Sequence, residues 1–147
     1  MAEKINQSFI IKNLIDLEQL ADLILPCLQP NIFLLLQGDL GVGKTTLTQI
    51  FAQKLGIKQT VNSPTFTILQ QYKIKKNYYL NHFDFFRLTS QDDLSIFAEL
   101  TANNLNVIEW PERNSQFWQD KKCIYLIFKI QFFQEKESRL VKVRWNI

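Results

Sequence analysis

The amino-acid sequence predicts an α/β domain: a central mixed sheet flanked by helices and carrying an antiparallel hairpin. Three observations predict it. Ile32-Phe33-Leu34-Leu35-Leu36 is an unbroken apolar run, short enough for a strand and apolar enough to be buried on both faces, as strands of a parallel sheet are. A glycine-bearing turn follows it directly, and then a stretch with helical spacing of its apolar residues. Further on, two strand-like runs flank Lys75-Lys76-Asn77, a turn that makes them a hairpin.

In chain order, Ser8 to Ile11 alternate weakly and suggest a first strand. Asp16 reads as the cap of a helix running to about Leu28, with Leu17, Leu20, Ala21, Ile24 and Leu28 on one face. Pro26 and Pro30 end it. After the apolar run and the turn, Leu47, Ile50, Phe51, Lys54 and Leu55 recur at helical spacing over Thr46 to Leu55, and Gly56 is a natural C-terminal stop. Thr67 to Ile74 and Tyr78 to Phe86 are the hairpin strands. Ser90 with Asp93 resembles a capping box that opens a short helix to about Glu99. Asn104 to Glu109 reads as a short strand ending in a carboxylate and broken by Trp110-Pro111-Glu112. Cys123 to Ile130 and Leu140 to Trp145 read as two closing strands around a Gln-Glu-Lys-Glu-Ser turn.

Composition narrows the function classes. A chain of 147 residues with 46% apolar side chains favours one domain, residues 1–147, with a real core. That core is aromatic, with 12 Phe, 4 Tyr and 3 Trp. The formal net charge of +3 is far from that of a protein that coats RNA. Cys27 and Cys123 stand far apart and His82 is the single histidine, so no structural zinc is expected and both thiols read as reduced and buried. Met1 to Gln7 lacks a basic region followed by an apolar run, and the longest apolar run is too short to span a bilayer. A cytoplasmic protein with no membrane association is expected.

Glycine placement carries the chemistry. Only 4 glycines occur, at positions 38, 41, 43 and 56. Gly38-Asp39-Leu40-Gly41-Val42-Gly43-Lys44-Thr45 matches GxxxxGK[ST], with a buried strand before it and a helix after it. The glycines let successive amides turn toward a β-phosphate, and the start of the helix adds the positive end of its dipole. Lys44 can reach the β- and γ-phosphates, and the Thr45 hydroxyl can ligate Mg²⁺. This predicts a P-loop NTPase-like domain that binds a purine nucleotide with Mg²⁺. Asp84 and Glu109, at strand-like positions, are candidates for the acidic group near the metal or for orienting water; each also reads as an edge or surface carboxylate. Thr65 is a switch threonine or an ordinary turn residue. His82 reads as a half-buried strand histidine, Arg87 as a phosphate contact or a solvated strand end, and Trp110 as a neighbour of the nucleotide or a core residue.

Four segments together resemble one family. Gly38 to Thr46, Ser63-Pro-Thr-Phe-Thr67, His82-Phe-Asp-Phe-Phe-Arg-Leu88 and Glu109-Trp-Pro-Glu112 are similar in order and spacing to the signature of the TsaE (YjeE) family, small bacterial ATPases of tRNA threonylcarbamoyladenosine synthesis. The resemblance covers about residues 8–145. It implies a weak, partner-stimulated Mg²⁺-dependent ATPase that works with TsaD and TsaB homologues and meets tRNA through them. Carried over, Asp39, Leu40, Gly41, Val42, Gly43, Lys44, Thr45, Thr46 and Trp110 would hold ATP. Thr45, Glu109 and Asp84 would hold Mg²⁺, and Asp84, Glu109 and Thr65 would act in the chemistry. Val42 stands where Ala is usual and Phe86 where Tyr is usual. Phe97 to Asn106 is Asn-rich and lacks the Gly common there, and Asn13 to Asp16 would approach the base. Two other readings remain open: a nucleotide-gated adaptor that works by ATP binding alone, and a small-molecule kinase. The kinase reading lacks an arginine-bearing lid.

Overall fold

The computed structural model describes residues 6–119, 124–134 and 137–146. Its elements are β1 (Asn6–Ile11), α1 (Leu14–Ile24), β2 (Phe33–Gln37), α2 (Lys44–Lys54), β3 (Leu69–Lys75), β4 (Tyr78–Asp84), α3 (Ser95–Ala98), β5 (Leu105–Glu109), α4 (Gln116–Gln119), β6 (Tyr125–Phe133) and β7 (Ser138–Asn146). The strands form one seven-stranded sheet in the order β1-β7-β6-β2-β5-β4-β3. β2 lies parallel to both β5 and β6, and β4 is parallel to β5. The flanks are antiparallel: β3 pairs with β4 as the expected hairpin, and β7 pairs with β6 and β1. The mixed sheet is as the sequence predicts. No helix of the described residues is long and apolar enough to cross a membrane.

β2 is apolar throughout because both of its faces are covered. Leu34 and Leu36 join Leu20, Ile24, Leu47, Ile50 and Phe51 under α1 and α2. Phe33 and Leu35 pack on the other face with Phe83, Phe85, Ile108, Phe117 and Trp118. Phe83, Phe85 and Phe117 meet edge to face at 5.3–5.9 Å, the arrangement aromatic rings prefer.

Several boundaries differ from the sequence reading. Asn13, not Asp16, caps α1: its side chain accepts from the Asp16 amide at 2.9 Å, and Asp16 accepts from the Lys12 amide at 2.8 Å. Asp16 thus reaches back to the amide one residue before the cap, a variation on the capping box. The helix ends at Ile24, and Leu25–Cys27 form one 3₁₀ turn carrying Pro26. Ser90 caps nothing. Asp92 accepts from the Thr89 amide and Asp93 from the Ser95 amide, leaving α3 a single turn. Helix α4 was not expected; four residues carry too little periodicity to show it. Cys27 is half-buried, and burial raises its thiol pKa. Cys123 and part of the Gln134–Ser138 turn lie outside the described residues.

Of the asparagines in the 97–106 stretch, Asn106 turns inward. Asn106 and Asn81 are fully buried, and Asn81 donates to the Asn106 side chain at 2.9 Å and to the Leu100 carbonyl at 2.7 Å. Asn106 donates to the Thr101 carbonyl at 3.0 Å. Asn103 adopts a left-handed φ of 61°, a conformation asparagine tolerates where glycine is the usual choice.

Candidate functional site

The glycine turn leaves the carboxyl end of β2 and opens α2. Gly43, at φ 114°, caps the helix with no side-chain bond, so the first amides of α2 are free to meet an anion. Gly38 is required for a different reason. A Cβ there would lie 2.5 Å from the Ile130 carbonyl and 2.6 Å from Val42 Cγ1. Val42 points into the core, away from the space the turn encloses. Arg139 on β7 donates from Nε to the Val42 carbonyl at 3.0 Å and so holds the back of the turn.

A cavity of about 360 Å³ sits on this turn. It is lined by Leu40, Gly41, Gly43, Lys44, Thr45, Thr46, Ser63, Thr65, Asp84, Phe86, Glu109 and Trp110. Residues from the ends of β2, β4 and β5 therefore converge where ligands bind open α/β sheets, outside the carboxyl ends of the strands. Of the expected site residues, Asp39 and Val42 do not line this cavity; Asp39 faces a neighbouring one shared with Trp110, Glu112 and Lys129. Neither do any of residues 13–16.

The polar geometry is specific. The Thr45 hydroxyl lies 2.9 and 3.0 Å from the two Glu109 carboxylate oxygens. His82 Nε2 lies 2.6 Å from Glu109 Oε2. Asp84 accepts from Ser63 Oγ at 2.6 Å and Thr65 Oγ1 at 3.1 Å through Oδ2, and from the Phe86 amide at 2.9 Å through Oδ1. Both acids are buried, Glu109 at 3% and Asp84 at 4% exposure, so neither is an edge or surface carboxylate. His82 is fully buried rather than half-buried.

Lys44 donates to the Gly38 and Asp39 carbonyls and lies 4.2 Å over the Trp110 ring. Burial lowers its pKa, and the nearby carboxylates, led by Glu109, oppose that. Trp110 reaches the cavity from a left-handed backbone, φ 57°, an uncommon conformation for a bulky side chain. Its ring is 5.0 Å from Phe86, and the Arg113 guanidinium lies 5.4 Å from each of the two rings. Arg87 is solvated, but in the turn after β4 rather than at a strand end, and it stacks on exposed Phe66 at 4.2 Å. A cation, helix amides, a hydroxyl and two carboxylates thus face one space, able to hold an anion beside a cation.

Sequence reasoning missed Ser63 and the placement of His82. Both stand two residues before a named candidate, and on a strand such a spacing puts His82 on the face of Asp84.

The sheet order and the glycine turn between β2 and α2 define a P-loop fold. The crystal structure of Bacillus subtilis YdiB has the same fold, with a TM-score of 0.76 over 98% of this chain and 88% of that chain at 24% identity. The family model described as Threonylcarbamoyl adenosine biosynthesis protein TsaE matches residues 11–141, and the chain belongs to the TsaE family. Three relatives, each named tRNA threonylcarbamoyladenosine biosynthesis protein TsaE, show the extent of the likeness. The Aquifex aeolicus protein is 32% identical over 127 residues, covering 85% of this chain and 86% of that one. The Rickettsia felis protein is 39% identical over 106 residues, 70% of this chain. The Bacillus subtilis protein is 41% identical over 83 residues, 56% of this chain. The chain spans 61% of the R. felis protein's length and 52% of the B. subtilis protein's.

Proposed function

We propose that this chain is a cytoplasmic Mg²⁺-dependent ATPase that supports TsaD and TsaB homologues in forming threonylcarbamoyladenosine beside the anticodon of tRNA. Hydrolysis would reset the complex between cycles. One observation carries the reading: Lys44 and Thr45 at the start of α2, Glu109 at the end of β5 and Asp84 at the end of β4 converge on one cavity.

The residues present fit the ligands. Lys44 and the helix amides offer positive charge to phosphates. Among the described residues no three His, Cys, Asp or Glu side chains gather into a metal cluster. One hydroxyl and two carboxylates suit Mg²⁺, which is held by one or two carboxylates together with substrate phosphates and water. Bound Mg²⁺ would neutralise charge developing on the phosphate oxygens. Asp84, held by two hydroxyls and an amide, is the group assigned to orient the attacking water, and Glu109 keeps the Thr45 hydroxyl directed. Trp110 closes the cavity beside Lys44. No arginine is among the residues lining the cavity, so the expected turnover alone is slow.

Reconstitution with TsaD and TsaB homologues and tRNA, following ATP hydrolysis and tRNA modification over cycles, tests the reading. Turnover indifferent to the partners would overturn it. A second reading, a nucleotide-gated adaptor, has its own support: Ser63 and Thr65 hold their loop on Asp84, so a ligand that displaces them also moves the loop. Glu109→Gln separates the two. It traps the ATP-bound complex and stops multiple turnover in an ATPase, and it leaves modification running in an adaptor.

A further inference from the structure

His82 stands in the middle of β4, fully buried, with its Nε2 2.6 Å from Glu109 Oε2. The same Oε2 faces the Thr45 hydroxyl at 3.0 Å. An ionised carboxylate can only accept, so the hydrogen between ring and acid lies on Nε2. Nδ1 is buried, and no partner for it stands among the described residues. Burying a polar ring with one nitrogen unmatched disfavours folding relative to leucine. Among the described residues the ring's only hydrogen bond is to Glu109, so any return for that penalty lies in what the bond does to the acid. Glu109 ends β5, and Trp110 turns away in a left-handed conformation immediately after it. The backbone there is about to leave the sheet, so the carboxylate needs a second tether beyond Thr45.

We propose that His82 is a positioning residue, whose Nε2–H fixes the Glu109 carboxylate against Thr45 and so sets the site at which Mg²⁺ is caught together with nucleotide. This rests on the Mg²⁺-nucleotide reading given above. It assigns His82 no contact with substrate and no proton transfer. Loss of an outer-shell tether of this kind weakens metal binding about ten-fold or more.

The test has two arms. His82 is the one histidine of the chain, so the imidazole signals in long-range ¹H–¹⁵N spectra of the nucleotide-free protein have a single owner. The expected result is a hydrogen on Nε2 that is protected from exchange with water. An Nδ1–H tautomer, or a freely exchanging ring, overturns the proposal. The second arm compares His82→Leu, which loses the donor, with His82→Gln, which keeps an N–H of similar reach. ADP binding is measured by calorimetry in EDTA and again over a Mg²⁺ titration. His82→Leu should bind ADP in EDTA as the native protein does and require about ten-fold more Mg²⁺ to gain the metal-dependent increment, with His82→Gln restoring much of it. Native-like Mg²⁺ dependence in His82→Leu overturns the positioning role. So does an equal fall in EDTA, which marks general damage. If His82→Leu does not fold, His82→Gln and the native spectra decide. A native protein with no Mg²⁺-dependent increment sinks the metal reading itself, an outcome separate from a failure of His82 alone.

Discussion

Lys44 is held by opposing forces. Burial disfavours its charge, while Glu109, Glu112, Asp84 and Asp39 favour it, and burial is the larger effect. A lysine whose folded pKa is lowered detracts from stability wherever it is charged in the unfolded chain, and that penalty fades only as pH rises toward its unfolded value. Lys44→Met is therefore expected to leave the melting temperature unchanged or higher at neutral pH while abolishing detectable nucleotide binding, measured by calorimetry beside thermal denaturation. A variant that still binds Mg-ATP tightly would refute the role given to the loop. Gly38→Ala should act in the opposite way on stability, because its methyl group meets a backbone carbonyl that cannot step aside. A loss of about 1–3 kcal/mol is expected from denaturant titration, together with weaker binding. At this scale the sequence was legible where a motif ties residue type to backbone shape, as at Gly38, Gly43, Lys44 and Thr45. It was illegible for Ser63 and His82, whose roles depend on what the fold brings opposite them.

The elements follow their local chemistry with one-turn errors. Asn13 accepts from the Asp16 amide and Asp16 from the Lys12 amide, and both residue types are good caps, so periodicity alone could not choose between them. Asn13→Ala should lower stability by about 1 kcal/mol in chemical denaturation and leave nucleotide affinity intact, since no residue of 13–16 lines the cavity. An affinity loss would instead revive the expectation that this segment approaches the base. The sequence shows 97–106 only as Asn-rich, and one of its asparagines, Asn106, joins a buried amide network with Asn81. Asn81 comes from β4, 25 residues earlier in the chain, beyond any local window.

Across the whole molecule, the parallel centre was foretold by the apolar run of β2 and the hairpin by its turn, but strand order was not. Nothing local says that β6 will flank β2 on the side away from β5. That placement matters to the site, because β6 supplies the Ile130 carbonyl under Gly38 and β7 supplies Arg139 to Val42. Arg139→Gln should weaken nucleotide binding several-fold and lower stability by about 1–2 kcal/mol, as for loss of a charged hydrogen bond. Unaltered affinity would show that the turn stands without this support.

The glycine turn is made well before its buttress. A nascent chain carries Gly38 to Thr45 out of the ribosome roughly ninety residues ahead of Ile130 and Arg139, as counted on the sequence. Until that C-terminal hairpin docks, the turn lacks its backing, and the growing polypeptide should bypass the abundant nucleotide of its surroundings. Competence would then arrive in one step, when β6 and β7 dock behind the turn.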